Sequence, residues 1–307
     1  MKFKILLSLI ALACTGLVLA QSPDQQEEEN VRGAFLTSRP KERPPQSSTA
    51  ERPTRRRPRT TPTNSGAKST PTPGPTADVS MSAEAGNTKV SAGAKMGVQR
   101  MGLGLTLFTR DPNGLAIRVD PSHEFHKGEK VRVLLETNAD GYLYIFNTTD
   151  NGPPVMIYPN AELDQGGNYL RAHVPFEIPS SASLEERLKW FTFDQYAGTE
   201  RLYFVFTRQP LPNVPIEDDL ITYCRANEKA CPWRPGPELW TQLQREMNAP
   251  LKTDKSQKYG RAQTAVEKDS TTRGIGLSQE DPEPSVILMA VATGTNSLVT
   301  ALDLVHR

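Results

Sequence analysis

The chain of 307 residues has no excess of one charge: 36 Lys and Arg face 35 Asp and Glu, for a net charge of +1. That balance argues against a dedicated nucleic-acid binder. Cysteines number three and histidines four, without the regular spacing that a closed zinc site needs. After residue 20 no apolar run is long enough to span a bilayer. The Gly-x-Ser-x-Gly elbow, the His-Glu-x-x-His motif, the P-loop and a complete dinucleotide fingerprint are all missing. Gly274-Ile275-Gly276 lacks the third glycine and lies in a polar stretch. No cofactor is expected. Apolar residues make up 36%, below the roughly 45–50% (glycine included) of a globular domain. Part of the chain is therefore expected not to pack, and the rest is long enough for one core.

What is present begins with an address. Lys2 and Lys4 precede an apolar centre from Ile5 to Leu12, and Val18-Leu19-Ala20 places small residues before a cut at Gln21. This predicts a signal peptide over residues 1–20 and a mature protein soluble outside the cytoplasm, periplasmic or secreted. An uncleaved anchor suits the short apolar stretch poorly. A lipid anchor on Cys14 is the other alternative; Ala13 before it fits, whereas Leu12 and Ala11 fit less well. Cleavage leaves Cys224 and Cys231, which read as a disulfide in an oxidising compartment. A zinc pair and two free buried thiols are the competing readings.

Residues 21–97 read as a disordered linker rich in Pro, Ser, Thr and Arg. Nine prolines fall between Pro40 and Pro75, and no apolar period offsets the entropy of ordering. Arg39, Lys41, Arg43, Arg52, Arg55, Arg56, Arg57 and Arg59 make it locally basic, so contact with anionic surfaces stands beside a plain solvated tether. Val31-Arg32-Gly33-Ala34-Phe35-Leu36 is its one apolar island, a docking peptide or a chance cluster.

From residue 98 onward the pattern is β. Leu103, Leu105 and Leu107 alternate, and Asp111-Pro112-Asn113-Gly114 turns the chain. Val131, Val133 and Leu135 alternate with Arg132 and Glu136 as a half-buried strand. Tyr142 to Phe146 is apolar on both faces and belongs inside a sheet. Short strands near Tyr169–Val174, Lys189–Phe193 and Leu202–Thr207 continue the series. Residues 211–283 interrupt it, with helices expected over Ile216–Tyr223 and Pro237–Met247 and a loose polar stretch over 251–283. Val286–Val291 and Leu298–Val305 then read as a closing hairpin across Thr293-Gly294-Thr295-Asn296. The expectation is a mainly β chain: one antiparallel sandwich or barrel-like domain over 98–307, with a short helical insertion at 211–283.

Gly102–Arg110, Tyr142–Phe146, the run Pro153-Pro154-Val155-Met156-Ile157-Tyr158-Pro159-Asn160 and Arg201–Phe206 resemble the bacterial family DUF4384, a domain of unknown function. The resemblance spans about residues 101–210 and implies a β-rich domain. Relatives sometimes carry it beside a protease-like or kinase-like domain, which this chain lacks. The family has no catalytic motif to carry over.

Candidate chemistry is sparse. His123 and His126 lack the further ligands that zinc needs. His173 reads as a sheet-face residue. Asp111, Asn113, Asp150 and Asn151 are explained by turns, although calcium could use such oxygens. Asn147-Thr148-Thr149 matches a glycosylation sequon, which the bacterial resemblance makes a coincidence. The aromatics of the strands are expected in the core, whereas Trp233 and Trp240, beside the Pro-stiffened Cys224–Cys231 loop, are expected in solvent. Together with the turn Asp150, Asn151, Pro153 and Pro154 they form the candidate binding surface. The function expected is a non-catalytic interaction module at the cell envelope, with an envelope protein or glycan as partner. The alternative is an envelope-polymer hydrolase using acids on loops, such as Glu185-Glu186, Asp194 or Glu217-Asp218-Asp219.

Overall fold

The computed structural model describes residues 31–43, 55–57, 100–162, 164–226 and 231–307. The expected signal peptide over residues 1–20, with Cys14, and most of the expected linker lie outside the described residues.

Two open sheets face each other, so the fold is a sandwich and not a closed barrel. The first is built from β1 (Gly102–Arg110), β2 (Ala116–Val119), β4 (Lys130–Thr137), β8 (Phe176–Ile178), β9 (Phe191–Thr192), β11 (Leu251–Lys255) and β12 (Val286–Ala290). Its order is β11-β12-β1-β4-β8, with β2 beside β1 and β9 beside β4. The second holds β3 (Glu124–Phe125), β5 (Gly141–Thr149), β6 (Val155–Tyr158), β7 (Tyr169–Leu170), β10 (Gly198–Thr207) and β13 (Ser297–His306). Its order is β3-β13-β10-β5-β6, with β7 on β5. Among the described residues only the β3–β13 pairing is parallel.

The side-chain period of two places the core. Leu103, Leu105 and Leu107 of β1 and Val131, Val133 and Leu135 of β4 point inward, against Leu143 and Ile145 of β5 and Leu202, Phe204 and Phe206 of β10. The opposite face of β5 is equally apolar. Tyr142, Tyr144 and Phe146 form a second cluster with Tyr203 and Val205. That cluster is roofed by α2 (Glu217–Ala226) and α3 (Pro237–Glu246) through Leu220 and Leu243. Pro237 starts α3 after Gly236, where its missing N–H costs no hydrogen bond. The sulfurs of Cys224 and Cys231 are joined, with Cα atoms 5.3 Å apart.

Several expectations need correction. The hairpin read at the C-terminus does not exist: β12 lies in the first sheet between β1 and β11, whereas β13 crosses to the second between β10 and β3. Residues 251–283 are not loose. They hold β11 and α4 (Ala265–Arg273), whose Thr264 and Glu267 cap each other reciprocally and whose C-terminus stops on Gly274 at φ 65°. His173 sits in a turn at φ 57°, not in a strand.

The stretch read as an unpacked linker is packed at two places. Residues 31–37 form a helix, α1, on the outer face of the first sheet, and Val31 and Phe35 are buried with Ile287 and Met289. Gly102 and Gly104 leave the room: a Cβ on Gly102 would stand 2.9 Å from the Phe35 ring, and one on Gly104 2.5 Å from the Pro284 ring. Arg39, 2% exposed, donates to both oxygens of Glu136 at 2.8 and 2.6 Å and to the carbonyls of Ser278, Asp281 and Pro282. His173 lies 2.8 Å from Glu136 through Nδ1 and 2.9 Å from the Ser38 hydroxyl through Nε2. Farther on, Arg55 is buried above the Phe176 ring, 5.0 Å from its centroid. β4 is therefore covered on both faces, where its alternation suggested one solvated face.

Candidate functional site

The inner faces of β5, β10 and β13 change character toward one end of the sandwich. Along β5 the inward sequence is Leu143, Ile145, Asn147, Thr149; along β10, read backward, it is Phe206, Phe204, Leu202, Glu200. Apolar residues fill the interior and polar ones reach the rim. Antiparallel register sets Thr149 opposite Glu200 and Gly198 opposite His306. The first sheet and the loop after it supply the facing wall with Val131, Phe191, Phe193 and Tyr196. The two walls enclose a cleft of about 490 Å³.

One wall is rich in hydrogen-bond acceptors. Asn147 Nδ2 donates to Glu200 at 2.7 Å, and the Thr149 hydroxyl donates to the same carboxylate at 2.9 Å. Asp150, at φ 48°, accepts from the Thr199 N–H at 2.8 Å. Asp194 accepts from the Tyr196 N–H at 2.8 Å and fixes the loop that carries that ring. Among the described residues three carboxylates and no Lys or Arg line the cleft. The other wall is aromatic. Phe193 stacks on Phe125 at 4.6 Å and leans on the His306 ring at 5.1 Å. Tyr196 is 72% exposed at the mouth.

Two buried polar atoms of this cleft have no hydrogen-bond partner: Nε2 of His306, a residue only 6% exposed, and Oδ1 of Asn147. Orphaned buried polar atoms are uncommon and call for an explanation. Among the described residues no group of His, Cys, Asp and Glu could hold a metal ion.

Of the residues singled out in the sequence, Asp150 reaches this cleft. Asn151, at φ 61°, and Pro153 are exposed and continue the turn, and Pro154 is half-buried; none of the three lines the cleft. The expectation of solvent-held tryptophans is corrected. Trp240 packs edge-on against Tyr203 at 4.7 Å and Phe146 at 5.9 Å, anchoring α3 to the outer face of the second sheet. Trp233 is half-buried against the same cluster, and its carbonyl accepts from the Met156 N–H at 2.9 Å. Both sit on the face opposite the cleft because the apolar outer side of β5 needs a cover. The acids considered for hydrolysis do not converge. Asp194 lines the cleft, whereas Glu185 pairs with Arg187, Glu186 with Arg110 and Lys189, and Asp218 with Arg56. Glu200, Tyr196 and His306 escaped notice; the visible trace was the change from apolar to polar at successive inward positions of β5 and β10.

Fold and cleft together define a β-sandwich domain with a rim pocket between its sheets. Residues 124–210 match the family described as domain of unknown function (DUF4384). The match runs from β3 to the end of β10 and includes most of the cleft wall, while His306 lies beyond it. No curated protein and no solved structure matches the chain.

Proposed function

We propose that this chain is an exported, non-catalytic binding module whose rim cleft takes a hydroxyl-rich segment of an envelope glycan. The observation that carries the reading is the cleft itself: an acceptor-rich wall of Glu200, Asp150 and Asn147 facing an aromatic wall of Phe191, Phe193 and Tyr196, with His306 Nε2 and Asn147 Oδ1 still unpaired. Sugar rings present apolar faces that stack on aromatics and hydroxyls that donate to carboxylates and amides. Each cleft carboxylate accepts from a protein donor, which supports reading the acids as a fixed acceptor wall. Export rests on the N-terminal signal pattern and on a disulfide that forms in oxidising compartments. No helix of the described residues is long and apolar enough to cross a membrane.

The test uses the mature chain on an array of envelope oligosaccharides, followed by calorimetry on the best ligand. Tyr196→Ala should weaken binding by about 2 kcal/mol, the scale of an anchoring aromatic, and leave the melting temperature unchanged. Retention of full affinity by that variant would sink the proposal. Time-dependent release of reducing ends would instead favour the hydrolase, and capture of an envelope protein with no oligosaccharide binding would favour the protein partner.

A further inference from the structure

A second cavity, of about 380 Å³, opens on the outer face of the first sheet, away from the rim cleft, and its character is opposite. Arg110, Arg132, Lys189 and Lys268 line it against a single carboxylate, Glu186. Arg110 and Lys189 share that carboxylate at 3.1 and 2.9 Å. Lys268 projects from α4, and no ion pair holds it among the described residues.

The buried end of the cavity is built by Arg132, 5% exposed, whose guanidinium lies 4.2 Å from the centroid of the Trp190 ring. Its Nη2 donates to Gln263 at 3.2 Å. Its Nε–H has no acceptor: Glu177 Oε1 is 3.6 Å away and already takes the Gln263 amide. Ser181, on the same cavity, also holds a buried hydroxyl without a partner. Two unsatisfied donors thus share a cavity with a cation surplus. The contrast with the rest of this face is sharp. Arg39 and Arg118 are comparably buried, yet each is bound to a carboxylate and to backbone carbonyls.

We infer that this cavity binds a phosphate-type oxyanion, with Arg132 Nε and the Ser181 hydroxyl completing their hydrogen bonds on it and Lys268 and Lys189 balancing its charge. Arginine suits such groups because its donors are fixed in a planar fork and stay charged. Donors arriving from several directions match the oxygens of a tetrahedral anion better than the two of a carboxylate. Trp190 holds the guanidinium plane in place from one side. Burial also lowers the proton affinity of Arg132, more than the Glu177 and Glu186 carboxylates restore.

The test follows the indole N–H resonance of Trp190 in the mature chain while inorganic phosphate is titrated at constant ionic strength, with acetate as control. Saturable movement with phosphate and none with acetate is expected. Ser181→Ala and Lys268→Ala leave the packed core intact, and each should weaken phosphate binding by about tenfold to a hundredfold, the scale of one charge-assisted hydrogen bond. Arg132→Lys keeps the charge but lacks Nε and should lose more. Dimethyl phosphate separates the sources: a site for a phosphodiester polymer binds it as well as inorganic phosphate, whereas a site for a free or terminal phosphate does not. Absence of a saturable shift, an equal shift with acetate, or unchanged affinity in both alanine variants overturns the proposal.

Discussion

The two outer faces of the sandwich are both covered, by opposite means. The face formed by β5 and β10 is aromatic and aliphatic, and α2 and α3 cover it with Leu220, Leu243 and Trp240. The face formed by β1, β2, β4 and β8 carries Arg118, Arg132, Glu136 and Glu177, all buried. Its cover is α1, the residues that follow it, α4 and the segment before β12, and much of the seal is ionic: Arg39 with Glu136, Arg118 with Glu267, Arg43 with Asp281, Arg32 with Asp254. An apolar cover tolerates imperfect geometry, because burial is non-directional and scales with area. An ionic cover does not, because each charge removed from water must find its partner.

The sharpest way to break the comparison is to remove one charge. Arg39→Met leaves Glu136 buried beside His173 without its guanidinium. The expected loss is about 3–5 kcal/mol, the scale for breaking a buried pair from one side, read from chemical denaturation of the chain. The double change Arg39→Met with Glu136→Leu should recover much of that loss; failure to recover would show that the segment is held by Phe35 and Val31 instead. Trp240→Ala should cost less, about 3 kcal/mol at the low end for a large aromatic because the ring is only half-buried, with α3 loosened and α1 unaffected in hydrogen exchange. Equal loss of protection on both faces would show that the two covers unfold together.

Acid gives the gentlest probe. Burial alone would raise the Glu136 carboxyl, but hydrogen bonds from His173 and Arg39 overcome it and hold the group below the usual carboxylate range. Asp281 is likewise lowered, by Arg43 and Ser278 against its burial. Groups depressed on folding contribute stability above their unfolded values and lose it as pH falls through their folded values. Acid below the ordinary carboxylate range should therefore release residues 31–43 before it disturbs α2 and α3. Proteolysis across a pH series checks this: early cutting near α3 would contradict the assignment.

The same contrast governs what was legible in the sequence. Leu103-Leu105-Leu107 and the two-sided Tyr142–Phe146 strand announced themselves by period, as did α3 by the spacing of Leu239, Trp240 and Leu243. Those patterns are local. Arg39 and Glu136 stand 97 residues apart, and nothing in a charge run says which arginine will meet a carboxylate. The false hairpin has a related cause. Apolar content marks Val286–Val291 and Leu298–Val305 as strands, and Gly294 at φ 76° does turn the chain, but apolar content does not choose the sheet that each strand joins. The rim cleft was half-visible: Asp150 was noted for its turn, while Glu200 and His306 acquire meaning only when β5, β10 and β13 lie side by side. The tryptophans were misplaced because a stiff loop was weighed above the apolar face of β5 that had to be covered.

The docking of residues 31–43 separates covalent order from structural order. This segment is separated from β1 by 58 residues, of which 55–57 and 100–101 are described, yet it packs on strands from both ends of the domain, touching Asp254, Glu283 and Ile287 as well as Glu136. The domain is thus assembled from segments far apart along one chain. A domain boundary drawn at residue 98 would discard the piece that neutralises Glu136.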